Sequence, residues 1–149
     1  MSFRYYWEDF PAGRVFDYGS RRLTEAEIIE FARDWDPQRF HTDPAAARET
    51  PFGGLVASGW HTGCVMMRLM CDAYLSESSC IGSPGIDEWR FALPVRPGDT
   101  LRYRATVLEA RPMASKPDRG IVKWHWELLN QRGEVAVSMV GTQFFLRRP

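Results

Sequence analysis

The sequence predicts an α+β fold in which a curled antiparallel β-sheet wraps around one long buried helix. Two observations carry that prediction. Residues 59–75, GWHTGCVMMRLMCDAYL, place apolar side chains nearly all round a helical wheel, as in a helix buried on most sides. The second half of the chain instead alternates with period two between short turns, the mark of an antiparallel meander. A helix laid on one face of an open sheet is the alternative, and that helix would show a polar side.

Size and composition set the frame. The chain has 149 residues, read as one domain over 1–149. Hydrophobic residues make up 44% and aromatics 13%, which excludes a disordered or low-complexity chain. Nineteen basic residues balance nineteen acidic ones, so no global field favours nucleic acid. The 3 cysteines form no C-x-x-C pair, against a disulfide framework and in favour of a reducing compartment. No run approaches the roughly 20 apolar residues that span a bilayer, and MSFRYYWEDF lacks the apolar core of a signal peptide. The expectation is a soluble cytoplasmic protein without membrane or nucleic-acid partners.

Taken in order, residues 14–22 are a first strand interrupted by Gly19. Thr24 and Glu27 form a capping box, and Ile28, Phe31, Ala32 and Trp35 make one apolar helical stripe behind it. Pro37 ends that helix, leaving Asp36 at or just beyond its end. Residues 36–58 carry three Pro and two Gly. They read as a long ordered loop with one short helix around Pro44–Arg48, and such loops are often functional. Ser58 caps the buried helix. A strand at Asp87–Leu93 precedes a turn at Pro97-Gly98-Asp99. Leu101–Val107, Val122–Leu128 and Val135–Leu146 are further strands, the last two separated by a turn at Asn130–Gly133. About five strands around one buried helix is the hot-dog architecture.

The chain lacks a G-x-x-x-x-G-K-[ST] or G-x-G-x-x-G phosphate cradle and a G-x-S-x-G elbow. Its three histidines are not at metal-ligand spacing, so neither a metal nor a redox cofactor is expected. His61, in the first turn of the buried helix, reads as structural, and His125 as packing or facing solvent. Met66, Met67 and Met70 read as core filler. Lys116 and Arg119 lie in a polar loop. Asp36 and His41 remain. On one continuous helix they would diverge by about 140°. Pro37 breaks that helix, so a loop can join a carboxylate and an imidazole on one water, an acid/base device. The structural alternative is a helix-end aspartate and a loop histidine bonded to backbone.

The surrounding strings, F-A-R-D-W-D-P-Q-R-F-H-T-D-P-A-A-A and P-F-G-G-L-V-A-S-G-W-H-T, closely resemble the MaoC-like dehydratases, relatives of the (R)-specific enoyl-CoA hydratases. V-R-P-G-D-T-L is similar to that family's strand-turn-strand, and the resemblance runs from about Tyr6 to Phe145. It implies a hydro-lyase that reversibly hydrates a trans-2-enoyl-CoA, or a related acyl thioester, to the (3R)-hydroxyacyl thioester. It implies that Asp36 and His41 are the catalytic pair. It places the oxyanion contact on the Gly59 N–H beside Ser58, where free N–H groups and the helix dipole favour negative oxygen. Phe40 and Phe52 would be apolar walls. Coenzyme A would arrive as part of the substrate, and the protein would be a homodimer or a multiple of dimers. Where many relatives have D-x-N-P-x-H, Gln38 and Arg39 stand here, with proline at 37, which bears on substrate identity. The rival functions are a hot-dog thioesterase and an idle acyl-CoA-binding subunit. Residues 59–71 hold no acidic side chain for the first, and the intact Asp-His pair argues against the second.

Overall fold

The computed structural model describes residues 2–149. Five strands, β1 (Val15–Arg22), β2 (Cys80–Phe91), β3 (Thr100–Pro112), β4 (Arg119–Leu129) and β5 (Val135–Leu146), form one antiparallel sheet. Their order is β1-β3-β4-β5-β2, which puts β1 and β2 at the edges. Four α-helices accompany them: α1 (Glu25–Trp35), α2 (Arg39–Thr42), α3 (Pro44–Arg48) and α4 (Gly59–Ala73).

Period-two patterning sets the inner face. Leu101, Tyr103, Ala105 and Val107 of β3 are buried, as are Val122, Trp124, Trp126 and Leu128 of β4. Val65, Met66, Leu69 and Met70 of α4 belong to the same apolar cluster. Both edge strands reach this one helix. Gly19 of β1 sits against Leu69, while Phe91 and Trp89 of β2 lie over Gly59 and Gly63. A sheet whose two edges touch one helix is curled around it, the hot-dog arrangement.

The helix starts are written in the sequence. The Thr24/Glu27 capping box is formed in both directions, and the Ser58 side chain accepts from Trp60 N–H as the N-cap of α4. Asp43 accepts from the N–H groups of Ala45 and Ala46 with Pro44 in the first turn of α3.

Several expectations are corrected. α4 is not buried all round: Trp60 is 64% exposed and Met67 49%, and Cys64 and Arg68 are exposed as well. Five strands leave a gap between the two sheet edges, and one flank of the helix lies in it. Apart from the Arg68–Asp72 ion pair, that flank is apolar, unlike the polar side that a helix on an open sheet would show. Trp35 does not join the buried stripe of Ile28 and Ala32; it is 74% exposed. The segment 36–58 holds two short helices rather than one, because α2 follows directly on the turn at Pro37. β2 begins seven residues before Asp87. Positive φ at Gly82 and Gly85, with bulges in its pairing to β5, hide the alternation there.

Candidate active site

Asp36 and His41 are assembled by a tight local path. Asp36 ends α1, its N–H still bonded to the Ala32 carbonyl. Proline at 37 stops the helix, and Gln38 N–H turns back onto the Asp36 carbonyl at 2.8 Å. α2 then starts, so His41 is aimed back at the end of α1. Its Nε2 lies 3.2 Å from Asp36 Oδ2.

Hydrogen bonds fix each member. His41 Nδ1 is 2.6 Å from the Val56 carbonyl. A carbonyl only accepts, so Nδ1 carries the hydrogen and Nε2 is the atom free to exchange a proton. Ser58 Oγ donates to Asp36 Oδ2 at 2.7 Å, and Gln38 Nε2 donates to Asp36 Oδ1 at 2.7 Å. Burial raises the Asp36 carboxyl, but the hydrogen bonds from Ser58 and Gln38 and the nearby His41 charge together bring it below its ordinary value. Asp36 is therefore an ionised carboxylate at neutral pH.

The pair faces a pocket of about 400 Å³. Asp36, His41, Phe40, Phe52 and Gly59 all line it. Phe40 stands edge-on to His41, with ring centroids 4.5 Å apart, and Phe52 packs 5.3 Å beyond Phe40. Ser58 is the exception among the expected residues. It is fully buried and lies behind Asp36, where one hydroxyl donates to the carboxylate and accepts from Trp60 N–H at 3.2 Å. Gly59 opens α4 on the pocket wall, where the first N–H groups of a helix lack intrahelical partners. It also has a packing reason to be glycine, because a Cβ there would overlap the Phe91 ring.

The sequence reading missed Gln38 as a partner of Asp36, and Phe91, Leu93 and Val137 as walls. The Gln38 signal was its position in the turn two residues after the aspartate. The walls come from β2, the residues after it and β5, and no local motif marks them. His61 stacks on Phe31 at 4.5 Å, outside the pocket lining. His125 lies beside Glu127 on a part-exposed position of β4. Among the described residues, no group of three or more His, Cys, Asp or Glu side chains could hold a metal ion.

With this geometry in hand, comparison with known proteins is decisive for the family. The model of the MaoC like domain matches residues 9–123. The chain belongs to the MaoC-like domain family. It is 42% identical to a MaoC-like dehydratase from Rhodospirillum rubrum of solved structure, with a TM-score of 0.91 over 97% of this chain and 99% of that one. It is 30% identical to the uncharacterized protein YdeM of Bacillus subtilis, over 70% of this chain and 74% of that protein. The (R)-hydratase of A. caviae, described as involved in PHA biosynthesis, is 24% identical with a TM-score of 0.70, over 95% of this chain and 99% of that one. That last likeness is one of fold: both chains have the hot-dog architecture. Membership of the family places the Asp36–His41 pocket in a fold shared with dehydratases and hydratases.

Proposed function

We propose that the protein is a hydro-lyase that reversibly adds water across the C2–C3 double bond of a trans-2-enoyl-CoA or a related trans-2-enoyl thioester. The observation that carries this reading is the Asp36–His41 pair itself. A carboxylate and an imidazole meet at 3.2 Å on the wall of a mostly apolar pocket. A device of that kind holds one water and moves protons to and from carbon.

In the hydration direction the water oxygen bonds to C3 as the pair takes one of its protons. The electrons of the double bond move to C2 and onto the thioester oxygen. A proton from the pair then goes to C2, so no net proton is gained or lost. Asp36, held ionised, accepts a hydrogen bond from the water, and His41 Nε2 is the exchanging atom. The two act as one coupled unit. The N–H of Gly59 and the start of α4 face the oxygen on which charge grows. The (3R) configuration of the product is part of this proposal and rests on family resemblance.

The reading includes a homodimer. β2 is an edge strand, and edge strands call for covering. Beside it the open flank of α4 forms a second groove of about 430 Å³, lined by Met67, Ile86 and Trp89 among others. Trp60 borders both this groove and the catalytic pocket. Covering this apolar flank with a second copy would complete the wall of an acyl tunnel. A cytoplasmic location fits the three free thiols, Cys64, Cys71 and Cys80.

The test is a panel of trans-2-enoyl-CoA substrates, followed by loss of enone absorbance and chiral analysis of the product. Hydration to a (3R)-hydroxyacyl-CoA is the expected result. Release of free thiol without hydration would establish a thioesterase instead.

A further inference from the structure

Beside the residues that line the catalytic pocket, Arg96 carries a cation that no described carboxylate pairs with. Arg96 follows Pro94 and Val95, both of which line the pocket. Its backbone is pinned, because Arg96 N–H donates to Asp99 Oδ2 at 2.9 Å. Its side chain is pinned as well: Nη2 donates to the carbonyl of Phe52, a pocket-wall residue, at 2.6 Å. Asp99 is the neighbouring carboxylate, and both its oxygens are taken, the second by Gln131 Nε2 at 2.9 Å. Among the described residues no carboxylate comes within ion-pair distance of the Arg96 guanidinium, whereas Arg119 at the start of β4 sits 3.4 Å from Asp118.

The surroundings leave room for a ligand. Gly53 and Gly54 follow Phe52. A Cβ on Gly53 would meet nothing within 4 Å, and one on Gly54 would meet only Arg96 Nη1 at 3.5 Å. A ligand can therefore approach this backbone closely, beside a guanidinium with most of its donors unspent. A planar fork of N–H donors fits phosphate oxygens, and arginine is favoured wherever phosphate is gripped through two oxygens.

We propose that Arg96 anchors the phosphate at the far end of a pantetheine arm whose thioester lies at Asp36 and His41. This rests on the thioester reading of the pocket and adds the group by which the carrier is held. The shared chemistry is a phosphoryl-pantetheine, present both in coenzyme A and on the prosthetic arm of a carrier protein. Arg96 is a binding residue here and takes no part in proton transfer.

The experiment compares wild type, Arg96→Ala and Arg96→Lys on three enoyl thioesters: of coenzyme A, of a phosphopantetheinylated carrier protein, and of N-acetylcysteamine, which lacks phosphate. For Arg96→Ala the expected result is a KM raised about tenfold on both phosphate-bearing substrates, equivalent to about 1.4 kcal/mol. Its kcat should be little changed and its kinetics on the truncated thioester unaltered. Arg96→Lys should recover part of the loss. Added salt should raise the wild-type KM for the phosphate-bearing substrates and flatten in Arg96→Ala. The carrier on which the wild type has the higher kcat/KM names the source of the arm.

Equal losses on all three substrates would overturn the proposal, since Arg96 would then only be holding Phe52. So would an unchanged KM for the phosphate-bearing pair. Calorimetric titration with free coenzyme A separates this proposal from the hydratase reading. Binding that weakens in Arg96→Ala but not in Arg132→Ala supports the anchor even if no enoyl thioester is hydrated. Absence of wild-type binding both to free coenzyme A and to the phosphopantetheinylated carrier protein overturns it even if hydration is found.

Discussion

The two sides of α4 are built by different rules. At its N-terminal end the chain completes its own polar set. Asp36 receives Ser58 and Gln38, and His41 is fixed by the Val56 carbonyl. Along its flank the helix leaves Trp60 and Met67 exposed, next to Ile86 and Phe91 of an edge strand. A polar constellation must be satisfied within the fold, because an unpaired buried charge or donor is costly. An apolar flank can wait for a partner. On the proposed function, the acid/base device would be a property of one chain, while the apolar wall beside it would be covered by a second copy.

The largest expected effect is at the polar end. Asp36→Asn and His41→Ala should each lower kcat by roughly 10²–10⁴-fold while circular dichroism and cooperative unfolding stay intact. Gly59→Val comes next, at about 10²–10³-fold if the thioester oxygen lies against this helix start. The Val side chain must also displace Phe91. Phe91→Ala is therefore the companion variant, and it should not restore turnover to Gly59→Val. An unchanged rate in a folded Gly59→Val protein would remove the oxyanion assignment.

The flank offers a test of the opposite kind. Met67→Glu with Ile86→Glu places charge on two side chains that are each 49% exposed and line the second groove. Sedimentation should show the wild type as a dimer and this variant shifted to monomer, with Asp36 and His41 chemically intact. A wild type that is a stable, fully active monomer would end the shared-wall account.

The smallest effect is expected from Ser58→Ala. Loss of the cap should cost about 1 kcal/mol of stability, read as a lowered Tm. The same change removes a donor that lowers the Asp36 carboxyl, so the acidic limb of the kcat/KM profile should move to higher pH. Asp36 lies below its ordinary value when folded. Its contribution is therefore present above the unfolded value of about 3.9 and is lost as pH falls through the folded one. Ser58→Ala should lessen that acid-side loss.

The same division explains what was legible in the sequence. Asp36, Pro37 and His41 lie within six residues, and Ser58-Gly59 opens a helix, so spacing and capping rules located the polar end. Strand periodicity located β3, β4 and β5 because each has one buried face. Trp35 and Trp60 misled, since hydrophobicity alone cannot tell a buried side chain from one exposed on the surface of a single chain. Phe91 and Val137 reach the pocket through β2–β5 pairing, a long-range register that no local pattern encodes. Gln38 stood out as a departure from the family string and by its place two residues after Asp36, but its bond to Asp36 needed the turn geometry.

A double-mutant cycle tests the central claim most directly: that Asp36 and His41 work as one unit on one water. It measures kcat for Asp36→Asn, His41→Ala and the combined variant on the best trans-2-enoyl-CoA. The account predicts that the double variant loses about as much as either single one, because groups acting as a unit are not additive. Losses that multiply, or a folded single variant that turns over near the wild-type rate, would contradict it.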